Sequence, residues 1–141
     1  MNLSAKVFSA MLAAGFFTLA GCGGPAAMNE STASVRHITA GEFAAEVAQA
    51  TNAVVADFYA TWCGPCRRLS PMLDRLAGGY TDKIKFVKIN VDESPELAKK
   101  FSVEGIPTLI FFKGGEVAVR EVGLPAEADL KAKLEAFAAG K

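Results

Sequence analysis

The sequence predicts an α/β domain with a mixed central sheet of five strands flanked by four helices. Three observations point there. From residue 35 onward, short apolar β-branched runs alternate with stretches of helical character, which implies parallel strands joined by crossover helices. Lys113-Gly114-Gly115-Glu116 separates two further apolar runs, which implies an antiparallel hairpin. In the last stretch Leu130, Leu134 and Phe137 share one helical face, so a final helix closes the core. The chain has 141 residues, enough for one domain plus a short extension. It has 15 basic and 15 acidic side chains and a formal charge of zero. With no basic patch in view, nucleic acid is not an expected partner.

The extension comes first. Lys6 and the amino terminus give a weakly positive start, and residues 7–20 are mostly apolar, interrupted by Ser9, Gly15 and Thr18. That core is shorter than the ~20 residues a membrane helix needs and suits the apolar region of a secretory signal. It ends in Leu19-Ala20-Gly21-Cys22, which resembles the lipobox of bacterial lipoproteins. The resemblance implies cleavage before Cys22 and a diacylglyceryl group on its sulfur. An ordinary signal peptide with a chance cysteine, or an uncleaved anchor, are the alternatives. Residues 23–34 are small and polar and read as a flexible tether, with a reach of roughly 20 Å. The expected organisation is a signal over 1–21, a lipidated cysteine and tether over 22–34, and one domain over 35–141.

Within the domain, Val35-Arg36-His37-Ile38 reads as a short first strand. Thr39 and Glu42 fit a capping box, starting a helix to about Ala50 with Phe43 and Val47 inward. His37, the single histidine, reads as a surface strand residue. Ala53–Tyr59 is the central strand, carrying Asp57 among apolar neighbours, where a carboxylate is costly unless it has a task. The alternative is a strand-end carboxylate that reaches solvent or caps the following turn. The next helix contains Pro71, which should kink it, and ends at Gly78-Gly79. Residues 83–90 form a buried strand in which Lys88 is the second charged intruder; a solvent-facing lysine is the plain reading. Ser94 and Pro95 start a short helix as N-cap and first position. Residues 108–112 and 117–122 form the last two strands.

The chemistry centres on Trp62-Cys63-Gly64-Pro65-Cys66. A strand precedes this run and a helix follows it, so Cys63 falls at the first turn. Unpaired N–H groups and partial positive charge at a helix start favour a thiolate. The three-residue spacing lets Cys66 reach back to Cys63 and close a small disulfide ring. Strand, C-x-x-C and helix together read as a thiol–disulfide redox site. A metal-binding scaffold is a competing reading, but one C-x-x-C supplies two thiolates where structural zinc takes four ligands.

Asp57-Phe58-Tyr59-Ala60-Thr61-Trp62-Cys63-Gly64-Pro65-Cys66 resembles the active-site segment of the thioredoxin family. Val87-Lys88-Ile89-Asn90-Val91-Asp92 and Gly105-Ile106-Pro107-Thr108 resemble that family's next strand and its cis-proline loop. The resemblance covers about residues 35–140 and implies the thioredoxin fold. It further implies that Cys63, the more exposed cysteine, attacks a substrate disulfide and that Cys66 resolves the mixed disulfide. Asp57 would assist proton transfer at Cys66, with Lys88 approaching and tuning it. Trp62, Gly64, Pro65, Ile106 and a cis Pro107 would receive the substrate strand. No cofactor is implied beyond the redox-active Cys63–Cys66 pair. The Gly-Pro dipeptide points to a reductase; an oxidase or isomerase of the same compartment is the alternative. The expected partners are disulfide-containing proteins, a membrane reductant carrier, and the membrane itself through lipid on Cys22. The expected state is a monomer on the periplasmic side of a bacterial membrane.

Overall fold

The computed structural model describes residues 35–140, so the signal, lipobox and tether lie outside the described residues. The elements are β1 (Arg36–His37), α1 (Ala40–Phe43), β2 (Ala53–Tyr59), α2 (Gly64–Ala77), β3 (Ile84–Asn90), α3 (Pro95–Lys100), β4 (Thr108–Lys113), β5 (Glu116–Val122) and α4 (Glu127–Ala138). They build one five-stranded sheet in the order β1-β3-β2-β4-β5. β1 and β2 run parallel to β3, while β4 is antiparallel to both β2 and β5. The mixed sheet and four helices are those the sequence predicts.

Alternation along the strands divides the core in two, because successive side chains point to opposite faces. Val55, Phe86, Leu109 and Phe111 pack with Leu69 and Leu73 of α2 and with Leu130, Leu134 and Phe137 of α4. On the opposite face Val54, Phe58, Val87, Ile110 and Phe112 pack with Phe43, Val47 and Leu97. Asp57 therefore projects from the central strand into the face covered by α2 and α4.

The first helix departs from expectation. After Phe43 it widens into a π-helical turn, Ala44–Ala48, and stops short of Ala50. The Gln49 amide bonds the Ala44 carbonyl at 2.9 Å, five residues back, and both Phe43 and Val47 stay buried. Its start does form the capping box, with the Glu42 carboxylate accepting from the Thr39 amide at 2.9 Å and hydroxyl at 3.0 Å. Arg36 of β1 bonds both Glu42 and Glu46, lacing the edge strand to this helix.

Ser94 occupies the N-cap position of α3, yet its hydroxyl makes no capping bond and is buried without a partner. Its extended-to-bridge backbone (φ −136°, ψ 56°) accompanies that loss. Pro71 lies inside α2 as expected. The hairpin at Gly114-Gly115 uses two positive φ angles, 59° and 81°. At Gly115 a Cβ would fall 2.2 Å from the Ala48 carbonyl oxygen, so only glycine fits where the hairpin meets the first helix.

Candidate functional site

β2 ends at Tyr59 and the chain turns at once into α2, with Cys63 as N-cap. The Cys63 amide donates to the Ala60 carbonyl at 3.2 Å, and the Cys63 carbonyl accepts from Arg67 at 3.2 Å. Cys63 and Cys66 are joined by a disulfide of 2.07 Å, with Cα atoms 5.3 Å apart. The Cys66 amide donates to Cys63 Sγ at 3.2 Å. The sulfur thus holds the place that a capping oxygen takes at other helix starts, aligned with the positive end of the helix dipole. Pro65 falls in the first turn, where a missing N–H leaves no helical bond unmade. Cys63 is barely the more exposed sulfur residue, at 4% against 2% for Cys66. What the fold exposes is the rim around them.

That rim is apolar. Trp62 is 67% exposed, and its indole N–H donates to Asp92 Oδ2 at 2.9 Å, which fixes the ring plane. Asp92 is itself held, its amide donating to Asn90 Oδ1 at 3.1 Å. Across the site the Ile106–Pro107 bond is cis, and the Ile106 carbonyl oxygen lies 3.8 Å from Cys63 Sγ. The Gly123 amide bonds the Pro107 carbonyl at 2.8 Å, anchoring this loop to the end of β5 beside the exposed Val122. Between Trp62 and Ile106 runs a groove of about 250 Å³, lined also by Val91, Ala98, Val103 and Gly105 with Glu104 at its margin. A second hollow of about 330 Å³, lined by Arg36, Thr81 and Lys85 among others, has no cysteine in its lining.

Asp57 is fully buried, and neither carboxylate oxygen has a hydrogen-bond partner among the described residues. Burial pushes its pKa from the ordinary 3.8 up to about 7; Lys88 pulls against that and Asp74 adds to it. Lys88 is the register partner of Asp57 on the neighbouring strand, so both side chains leave the same face. Its ammonium nevertheless pairs with Asp74 Oδ2 on α2, at 3.5 Å. Lys88 stands beside the buried carboxyl without bonding it.

The fold thus gathers Trp62, Cys63, Gly64, Pro65, Cys66, Ile106 and Pro107 at one end of the sheet. Asp57 and Lys88 sit on adjacent strands beneath α2. His37 lies on the surface, 3.6 Å from Glu93. Cys22 is outside the described residues. Two residues escaped sequence reasoning, Asp74 and Asp92. Asp92 closes the Val87–Asp92 motif just past the end of β3, where a loop carboxylate is free to accept from an indole; Asp74 carries no sequence signal among ordinary helix charges. Among the described residues no cluster of three or more His, Cys, Asp or Glu side chains is placed to hold a metal.

A disulfide closed across the first turn of a helix, with an amide aimed at the outer sulfur and an apolar groove beside it, defines a thiol–disulfide oxidoreductase. A profile of the thioredoxin family matches residues 34–136. The thioredoxin of Allochromatium vinosum is 38% identical over 102 residues, 72% of this chain and 95% of that protein. The thioredoxin of Pseudomonas aeruginosa is 40% identical over 100 residues, 71% of this chain and 93% of its own. Thioredoxin 1 of a Nostoc species is 42% identical over 98 residues, with 70% and 92% covered. The chain belongs to the thioredoxin family, and its fold and paired cysteines are those of a disulfide reductase of that family.

Proposed function

We propose that this protein is a lipid-anchored, extracytoplasmic disulfide reductase that acts on protein substrates through Cys63 and Cys66. The observation that carries the exchange chemistry is the Cys66 amide directed at Cys63 Sγ at 3.2 Å, which favours negative charge on that sulfur. In the reduced protein the Cys63 thiolate attacks a substrate disulfide. A Cys63–substrate bond forms, the substrate S–S bond breaks, and one substrate thiolate leaves. Cys66 then loses its proton to Asp57 through an intervening water and attacks Cys63 Sγ. The Cys63–Cys66 bond forms, the second substrate sulfur leaves as thiolate, and the substrate has gained two electrons. A dithiol donor in the membrane returns them, its own thiols being oxidised to a disulfide as Cys63–Cys66 is reduced. An extended substrate segment lies in the groove between Trp62 and Ile106.

The anchor rests on Leu19-Ala20-Gly21-Cys22 and the small-residue tether after it. Two or more acyl chains hold a protein on a membrane where one gives marginal binding. Mass spectrometry of the mature amino terminus tests the anchor: a lipidated Cys22 and detergent-dependent extraction are expected, and Cys22→Ser should abolish both. An unmodified Cys22 thiol, or a start elsewhere, overturns the anchor and leaves the exchange chemistry standing on its own residues.

A further inference from the structure

We propose that Asp74 is a positioning residue for the proton step: it holds the Lys88 ammonium toward the surface of α2 and so leaves the buried Asp57 carboxyl without an ion-pair partner. The inference deepens the reading of Asp57 as the base for Cys66 and rests on it.

Lys88 has two carboxylates within its choice. Asp57 is its register partner on the adjacent parallel strand, projecting from the same face of the sheet. Asp74 reaches it from the helix above. The structure resolves the competition for Asp74, whose Oδ2 lies 3.5 Å from Lys88 Nζ. The reason is solvation. Asp74 is 45% exposed, so a pair there keeps much of its hydration, whereas a pair with Asp57 would bury both charges. Asp74 is also held in place: its Oδ1 accepts from the Val35 amide at 3.4 Å, which orients Oδ2 toward Lys88.

Asp74 acts on Asp57 in two ways of the same sign. Its negative charge disfavours ionisation of Asp57, and its grip on Lys88 weakens the one cation that favours it. The other groups facing Asp57 do not share this role. From β2 itself comes Tyr59, whose hydroxyl feels the Asp57 charge; β4 presents Leu109 opposite, and α4 turns Leu130, Leu134 and Phe137 to this core. A carboxyl that takes a proton from Cys66 and gives it up again works best with a pKa near the operating pH. An intimate Lys88 pair would hold it ionised and make it a poorer acceptor.

Asp74→Asn isolates the effect, because the amide oxygen can still accept from Val35 while the charge is gone. The carboxyl carbon of Asp57, followed by NMR in the oxidised full chain in detergent, reads the result without titrating thiols. The parent should titrate near pH 7, as burial sets it at about 7. Asp74→Asn should move the midpoint down by roughly one pH unit, the low end of the effect of an opposite charge nearby. Asp74→Glu should keep it close to the parent. A midpoint unchanged in Asp74→Asn overturns the inference. The Asp57 reading is tested apart, in the pH profile of mixed-disulfide resolution: Asp57→Asn should remove its acid limb. Should that limb persist, Asp57 is not the base, and the role of Asp74 in catalysis falls with it.

Discussion

Replacing Asp57 by Asn separates the cost of an ion inside the sheet from everything else the residue does. The side chain is fully buried, and its pKa rises from the ordinary 3.8 to about 7, with burial the leading cause. Below pH 3.8 the carboxyl is protonated in folded and unfolded chains alike, and the raised pKa has no effect on stability. Between about pH 4 and pH 7 the unfolded chain releases the proton and the folded chain keeps it, so stability falls as pH rises. Above about pH 7 both states are ionised and the penalty is constant. Each pH unit is worth roughly 1.4 kcal/mol, so a gap of about 3 units between 3.8 and 7 costs the parent about 4 kcal/mol at pH 8. Asparagine has the same shape and no charge to release. The difference in stability between Asp57→Asn and parent should therefore grow by about 4 kcal/mol in favour of the variant from pH 4 to pH 8. Any fixed penalty for burying an amide cancels in that comparison. Urea denaturation of the oxidised proteins at pH 4, 6 and 8 measures it. A stability difference that stays the same at all three pH values would refute the claim that Asp57 ionises at high cost inside the fold.

Cys63→Ser should abolish reduction of a protein disulfide, while Cys66→Ser should accumulate mixed disulfides visible on non-reducing gels; residual turnover by Cys63→Ser would put the nucleophile elsewhere. Asp92→Asn weakens the acceptor for the Trp62 indole, so KM for a protein disulfide should rise several-fold with little change toward a small-molecule disulfide. Equal KM values would show that Trp62 is oriented by other contacts. Gly115→Ala should destabilise the domain by at least about 2 kcal/mol in thermal or urea unfolding, since it combines a left-handed backbone with a Cβ in the Ala48 carbonyl. A loss under half a kcal/mol, roughly the scatter of surface changes, would mean that the hairpin shifts away from the first helix without strain.

Much of this protein is written in local pattern. The strand before Cys63, the helix after it, the Gly114-Gly115 turn and the inward faces at Phe43/Val47 and Leu130/Leu134/Phe137 follow from periodicity and turn chemistry over a few residues. Sulfur reactivity at Cys63 follows likewise, because the helix start that favours it lies in the same five-residue run. The buried Asp57 was legible as a charge in an apolar strand. What the tertiary structure decided is which partner each polar group takes. Lys88 sits in register with Asp57 and bonds Asp74; Trp62 finds Asp92, thirty residues away. The cis bond at Ile106–Pro107 and the π-helical turn after Phe43 belong to the same class. Periodicity sets which face a side chain leaves from, but the choice between two partners on that face depends on their distance and hydration after the helices have packed. Those quantities exist only once α2 lies across the sheet, with one carboxylate under it and the other at the edge of solvent.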